Sequence, residues 1–311
     1  MGYSSEEGIF GRFRKYRNNS NSETISPESG HDYRIDRIKS RMGRGAVTRG
    51  HLVYPVDKPD DPMRALYLNG FMTPRNAYLD NASELARLGI ATALFDTRRI
   101  INLRDIENPI QPAIDGGIHM LDIMDDNEIG GDTAAIGHSM GGLTAASIAI
   151  QDRRIDYYIG DAIAGIEHDK MWRQHLKNRK KVQRGITAPL VSMLVKRSDR
   201  LSTISEYVAD FIHNPTQKAL QGLMLCRDPE ISRYFKVLNN IDVPIAVLLQ
   251  KHDEFFAHDR QRVEIDKDLE VFGTVIDVDG AHMHANFRPL ENARLRAETM
   301  KMLHNQKRKA L

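Results

Sequence analysis

Along most of this chain, short apolar runs alternate with stretches compatible with an α-helix, and no other feature constrains its fold as strongly. Several of the apolar runs are continuous, as in parallel strands that are covered on both faces. The predicted strands are Ala46–Tyr54, Ala65–Asn69, Ala91–Phe95, Thr133–Gly137, Tyr157–Gly160, Pro244–Gln250 and Gly273–Val278. The predicted helices lie around Arg75–Leu88, Ile114–Met124, Gly141–Gln151 and Leu290–Leu303. This alternation predicts a mostly parallel, doubly wound α/β sheet.

Two segments depart from the alternation. Residues 1–40 are polar and basic without a sustained apolar period, which predicts a mobile N-terminal arm. Residues 166–237 contain no convincing strand and read as several helices. An insertion of that size between two strands predicts a helical cap over the carboxyl ends of the sheet, where ligands bind. Residues 41–165 and 238–311 then form the α/β core.

The composition narrows the class of protein. A single cysteine, Cys226, excludes an internal disulfide framework and a cysteine-based zinc finger. The charged fraction of 28% is ordinary for a folded chain, and no apolar run reaches the length that crosses a bilayer. We therefore expect a soluble, cytoplasmic protein. A net charge of +2 is too small to indicate a nucleic-acid partner, and none is expected from the basic arm alone.

The most informative short segment is Gly137-His138-Ser139-Met140-Gly141. It follows an apolar predicted strand and precedes a predicted helix rich in small residues, which is the context in which a Gly-x-Ser-x-Gly motif carries chemistry. A sharp turn from strand to helix holds the serine in a strained conformation with its hydroxyl projecting outward. We expect glycine on both sides of Ser139 because a β-carbon there would collide with the crowded turn.

On these residues the sequence resembles the α/β-hydrolase superfamily, in which Gly-His-Ser-Met-Gly-Gly is common among esterases, lipases and cofactor-free perhydrolases. The resemblance covers about residues 45–305 and implies the α/β-hydrolase fold with Ser139 as nucleophile. A serine hydroxyl is a weak nucleophile near neutral pH, so it requires a base and a carboxylate that orients the base. In the family the acid follows the nucleophile along the chain, and the histidine follows the acid.

The same resemblance selects the acid and the base. Asp253 follows a short turn after the predicted strand that ends at residue 250, with Glu254 as its nearest substitute. Asp161, after the strand that follows the serine motif, is an alternative acid position. The histidine is His282 in a Gly-Ala-His turn, with His284 as the fallback. The His-x-His pair could instead bind a metal, but no accompanying cluster has ligand spacing, so neither a metal nor a cofactor is predicted.

Acyl transfer also requires two donors for the developing oxyanion. The resemblance implies that these are the backbone N–H groups of Met140 and Phe71. Asn69 stands where the family usually has a histidine, and an asparagine can hold the loop through hydrogen bonds to the backbone. Trp172 of the predicted cap is the tentative substrate-binding residue, placed there by the family fold.

The predicted cap is basic, with ten Lys or Arg residues and one acid between Lys170 and Arg200. Such a segment could contact an anionic membrane surface, although a solvated basic face is the commoner outcome. The resemblance implies a serine hydrolase that cleaves a small-molecule carboxylic ester, of monoacylglycerol or lysophospholipid type. A thioesterase, amidase, perhydrolase or C–C bond hydrolase stays open, as does a non-catalytic ligand-binding protein of the same fold.

Overall fold

A computed structural model describes residues 32–41, 47–57, 59–70, 78–95, 110–166, 231–253, 256–282 and 288–310. The strands are β1 (Tyr33–Arg41), β2 (Val47–Pro55), β3 (Met63–Leu68), β4 (Ile90–Phe95), β5 (Asp132–His138), β6 (Ile155–Asp161), β7 (Ile245–Gln250) and β8 (Thr274–Val278). The helices are α1 (Leu79–Arg87), α2 (Gln111–Asp126), α3 (Gly141–Gln151), α4 (Ile231–Asn240), α5 (His258–Lys267), α6 (Leu269–Phe272) and α7 (Pro289–Ala310).

All eight strands belong to one sheet, in the order β1-β2-β4-β3-β5-β6-β7-β8. The pairs β1–β2 and β2–β4 are antiparallel, and the other five pairs are parallel. Every residue of β3, β4 and β7 is buried, which explains why these strands read as continuous apolar runs. The seven predicted strands are all present with ends within two residues of the prediction, so the mostly parallel sheet is confirmed.

The prediction that residues 1–40 form an arm is wrong for its last part. The residues from Tyr33 onward form β1, which pairs along its whole length with β2 at the edge of the sheet. Exposed Arg34, Arg37 and Lys39 are tolerated at an edge, where charges also discourage pairing with another chain. These charges interrupt the apolar pattern and hid the strand. Residues 1–31 lie outside the described residues.

Helices cover both faces of the sheet. On one face, α2 to α6 contribute to a cluster of buried apolar side chains with Leu66 and Leu68 of β3. On the other face, α1 and α7 pack on a second cluster that contains Ala65 and Tyr67 of the same strand. This alternation along β3 is the two-residue period of a strand, and it confirms the doubly wound arrangement.

The predicted cap lies almost wholly outside the described residues, since 167–230 are not described. Its last seven residues, 231–237, belong to α4, which packs on the same face of the sheet as α3. There the Phe235 ring contacts Tyr158 edge-on at a centroid distance of 5.1 Å and Phe272 at 5.6 Å. The cap therefore stays a prediction for residues 166–230.

The parallel register brings several strand ends to one edge of the sheet. Leu68 pairs with Gly137, His138 with Asp161, and Asp161 with Leu248. The segments that leave β3, β5, β7 and β8 consequently start side by side. Those segments carry Asn69, Ser139, Asp253 and His282.

Candidate active site

Ser139 lies in the turn between β5 and α3 with a φ of 54°, a left-handed backbone conformation that is uncommon outside glycine. Three backbone hydrogen bonds hold this strained residue. Its N–H donates to the Asp161 carbonyl at 3.0 Å, and its carbonyl accepts from Gly142 at 3.1 Å and from Ala164 at 3.2 Å. The prediction of a strained serine turn is confirmed, and the surrounding structure determines the strain.

The two flanking glycines have the steric role expected of them. A Cβ added to Gly137 would lie 2.5 Å from the Gly142 Cα, and one added to Gly141 would lie 2.5 Å from the Leu68 carbonyl oxygen. No side chain tolerates such distances to backbone atoms. The turn is therefore packed directly against the end of β3 and the first residues of α3.

Asp253 and His282 are in direct contact, as the sequence predicts for an acid and a base. The Asp253 Oδ2 lies 2.8 Å from the His282 Nδ1, and the two side chains are 0% and 6% exposed. The second oxygen, Oδ1, accepts the Phe256 N–H at 2.8 Å. Because a carboxylate only accepts, the Nδ1 of His282 carries the proton, and the Nε2 of a neutral ring is left as the base.

The loops that carry this pair are fastened to one another. The His252 N–H donates to the Gly280 carbonyl at 2.9 Å, and the Lys251 N–H donates to the Val278 carbonyl at 2.9 Å. The Phe256 ring packs edge-on against the His282 ring with a centroid distance of 5.1 Å. These contacts limit how far the acid and the base can move apart.

Asp161, the alternative acid, forms its side-chain contacts with residues other than His282. Its Oδ1 accepts from Gln250 at 2.7 Å, and its Oδ2 accepts from Asn292 at 3.2 Å and from the guanidinium of Arg296. Burial by itself would raise the pKa of Asp161, but the charge of Arg296, the nearby His138 and hydrogen bonds from Arg296 and Asn292 together lower this pKa to about 2. The geometry thus favours Asp253 as the acid. The substitutes Glu254 and His284 lie outside the described residues.

His138, which sequence reasoning did not single out, connects the serine turn to the histidine loop. Its Nε2 lies 2.7 Å from the His282 carbonyl oxygen, and its Nδ1 lies 2.7 Å from the Tyr78 hydroxyl. The His138 and His282 rings are 4.9 Å apart between centroids. The sequence carries no signal of this role, because the position after the first glycine of the motif accepts many residue types.

The donors predicted for the oxyanion are only partly described. Met140 stands at the N-terminus of α3, and within the described parts of the chain its N–H donates to no protein acceptor. A helix N-terminus with an uncommitted N–H favours negative charge. The segment after β3 also approaches the turn, since a Cβ on Gly70 would lie 2.9 Å from the Ser139 Cβ. Asn69 is buried there, and Phe71 and Trp172 lie outside the described residues.

Among the described residues, no group of three or more potential ligands could hold a metal ion. No helix among them is both long enough and apolar enough to cross a membrane.

The structure is similar to several solved structures. A carboxyl esterase from Bacillus coagulans matches with a TM-score of 0.58 at 12% identity, covering 86% of this chain and 98% of that one. An esterase from Pyrococcus furiosus matches with a TM-score of 0.56 at 16% identity, covering 87% and 91%. A thioesterase domain from the curacin biosynthetic pathway matches with a TM-score of 0.52 at 15% identity, covering 84% and 98%.

No protein-family model matches the sequence, and no curated protein matches it. At identities this low, the structural likenesses establish the fold and leave the chemistry to the geometry of the site.

Proposed function

Taking the α/β-hydrolase fold of this chain as established, we propose that it is a serine hydrolase that cleaves a carboxylic ester through an acyl-enzyme on Ser139. One observation carries the proposal. A strained serine lies directly after a residue that is hydrogen-bonded to His282, and His282 is itself hydrogen-bonded to the buried carboxylate of Asp253. This is the acid–base–nucleophile set that acyl transfer requires.

In the proposed reaction, the Nε2 of His282 removes the proton of the Ser139 hydroxyl as its oxygen attacks the ester carbonyl carbon. Asp253 stabilises the imidazolium that forms. The carbonyl oxygen becomes an oxyanion, which the Met140 N–H stabilises together with a second donor that we assign to Phe71. Collapse of the tetrahedral intermediate releases the alcohol, which leaves with the proton from His282.

Water completes the cycle. His282 removes a proton from a water molecule, whose oxygen attacks the acyl carbon, and the carboxylic acid leaves as the proton returns to the Ser139 oxygen. One ester and one water thus yield one acid and one alcohol. None of these steps calls for a cofactor.

A thioester is the second candidate substrate. The same attack and the same oxyanion serve an acyl thioester, and one of the similar structures is a thioesterase domain. For the alcohol or thiol portion we favour a lipid-like substrate, because residues 166–237 combine basic and apolar residues in the sequence. That segment lies almost wholly outside the described residues.

The test compares two buried serines with an active-site probe. Ser139→Ala should abolish labelling by a fluorophosphonate and the hydrolysis of p-nitrophenyl esters and acyl thioesters of graded length. Ser147→Ala is the control, because Ser147 is buried in α3 and its hydroxyl donates to the Leu143 carbonyl of the same helix. It should keep both signals. A wild-type protein that neither labels nor hydrolyses any member of the panel would refute the proposal.

A further inference from the structure

We propose that His138 is a positioning residue that, held in turn by Tyr78, fixes His282 against the serine turn. This inference rests on the proposed function, since His282 is there the base. It adds two residues to the machinery that the serine motif, the acid and the base already comprise. The geometry that points to it is a continuous chain of hydrogen bonds behind the candidate site.

The direction of each hydrogen bond in this chain follows from elementary chemistry. A carbonyl oxygen only accepts, so the Nε2 of His138 must carry the hydrogen that is donated to the His282 carbonyl at 2.7 Å. A neutral imidazole has one N–H, so its Nδ1 is then an acceptor. The Tyr78 hydroxyl, 2.7 Å away, must therefore donate to it. The His282 carbonyl thus sets the tautomer of His138, and Tyr78 stabilises that tautomer by donating to its free Nδ1.

The site favours that neutral ring. Burial, together with the positive charge that His282 can carry, lowers the pKa of His138 to about 4. Near neutral pH the His138 ring consequently has no charge. A charged His138 would repel the imidazolium that forms on His282 during acyl transfer, because the two rings lie 4.9 Å apart.

His282 is therefore held at two points. Asp253 orients its ring through Nδ1, and His138 holds its main-chain carbonyl. The second contact matters for distance, because His138 is covalently joined to Ser139. A hydrogen bond from His138 to the histidine loop sets the separation between that loop and the nucleophile. Errors of about 1 Å in such a separation cost about 100-fold in rate.

A similar pair at the opposite end of the sheet provides a control. Tyr157 lies near the start of β6, and its hydroxyl lies 3.1 Å from the Nδ1 of His304 in α7. Both of these side chains also bind Asp132, the first residue of β5. This second tyrosine–histidine pair resembles the first in the burial of its histidine, but it is joined through the Asp132 carboxylate and lies away from the site.

The experiment measures kcat, KM, the rate of fluorophosphonate labelling and the melting temperature for matched variants. His138→Phe keeps a flat ring but removes both hydrogen bonds, and it should lower kcat and labelling about 100-fold with KM within about threefold. His138→Gln retains an amide N–H that can reach the same carbonyl, so it should recover most of the loss. Tyr78→Phe leaves the Nδ1 of His138 without this donor and should lower kcat by about tenfold or less.

The controls separate positioning from stability. His304→Gln, His304→Phe and Tyr157→Phe should lower the melting temperature as their counterparts do but leave kcat within about twofold of wild type. The inference is overturned if His138→Phe loses no more kcat than His304→Phe. It is also overturned if the kcat of His138→Gln is no higher than that of His138→Phe. If His138→Phe does not fold, a double-mutant cycle between His138→Gln and Tyr78→Phe replaces it. Additive effects on kcat in that cycle would also overturn the inference.

Failure of the proposed function has a different signature. In that case wild type and Ser139→Ala behave alike toward the probe, and both proposals are overturned. If wild type labels, Ser139→Ala does not, and the His138 variants match the His304 controls, only the positioning role is overturned.

Discussion

Two buried aspartates at neighbouring strand ends have contrasting partners. Asp161, at the end of β6, forms an ion pair with Arg296, a group that holds its charge at every relevant pH. Asp253, just after β7, pairs with His282, whose imidazole ring can both donate and accept a proton. Both carboxylates are buried and both accept further hydrogen bonds. The partner, more than burial, therefore separates a carboxylate suited to support the fold from one suited to support proton transfer.

The largest effect should come from Asp253→Asn. The Phe256 N–H holds the amide oxygen, so the amide NH₂ is directed at the His282 Nδ1 and forces the proton onto Nε2. A histidine in the wrong tautomer lowers kcat by about 10⁴, equivalent to about 5 kcal/mol. The pre-steady-state acylation rate measures this loss. Stability to urea should change by about 1 kcal/mol or less, because the amide keeps the shape of the carboxylate.

Arg296→Met should have the opposite outcome to Asp253→Asn, with a large loss of stability and little effect on the reactivity of the site. The methionine fills similar space but leaves the Asp161 carboxylate buried with Gln250 and Asn292 as its remaining side-chain partners among the described residues. Breaking one side of a buried ion pair costs about 3–5 kcal/mol, which urea unfolding would measure. The folded fraction should retain fluorophosphonate labelling. The double variant with Asp161→Asn should recover part of the stability, and a single variant that lost labelling but not stability would contradict the contrast.

The smallest of these effects is on the pH dependence of stability. It comes from His138, a third buried group that can be compared with the two aspartates. The pKa of His138 is lowered to about 4, whereas an unfolded histidine protonates near pH 6.5. Between these values the unfolded state binds a proton that the native state does not, so stability falls as the pH falls. A shift of this size corresponds to about 3 kcal/mol.

His138→Gln should remove that part of the pH dependence. Urea unfolding at pH 7 and at pH 4 would show the gap between wild type and variant narrowing by about 3 kcal/mol at the lower pH. Ser147→Ala should retain the wild-type dependence. An unchanged slope in His138→Gln would mean that His138 is protonated in the native state at pH values well above 4.

Much of the fold could be predicted because most strands and helices correspond to patterns of apolar residues within short stretches of sequence. The fully buried strands β3, β4 and β7 are nearly continuous apolar runs, and the alternation of such runs with helical stretches located seven of the eight strands. The edge strand β1 was missed because charged residues are stable there, and a charged strand resembles a solvated tail. The burial of Arg296 was equally hidden. In sequence it is one of several cations in a helix, and its partner Asp161 lies 135 residues earlier.

The sequence by itself determined the serine turn, because its constraints act over ten residues. A strand, two glycines that exclude a β-carbon and a helix of small residues suffice to place Ser139 in its strained conformation. Only the tertiary structure decided which buried polar groups form hydrogen bonds or ion pairs with one another. His138 reaches the carbonyl of His282 across 144 residues of chain, and Asp161 meets Arg296 rather than His282. Such contacts depend on how strands and helices converge at one edge of the sheet, and no local pattern encodes that convergence.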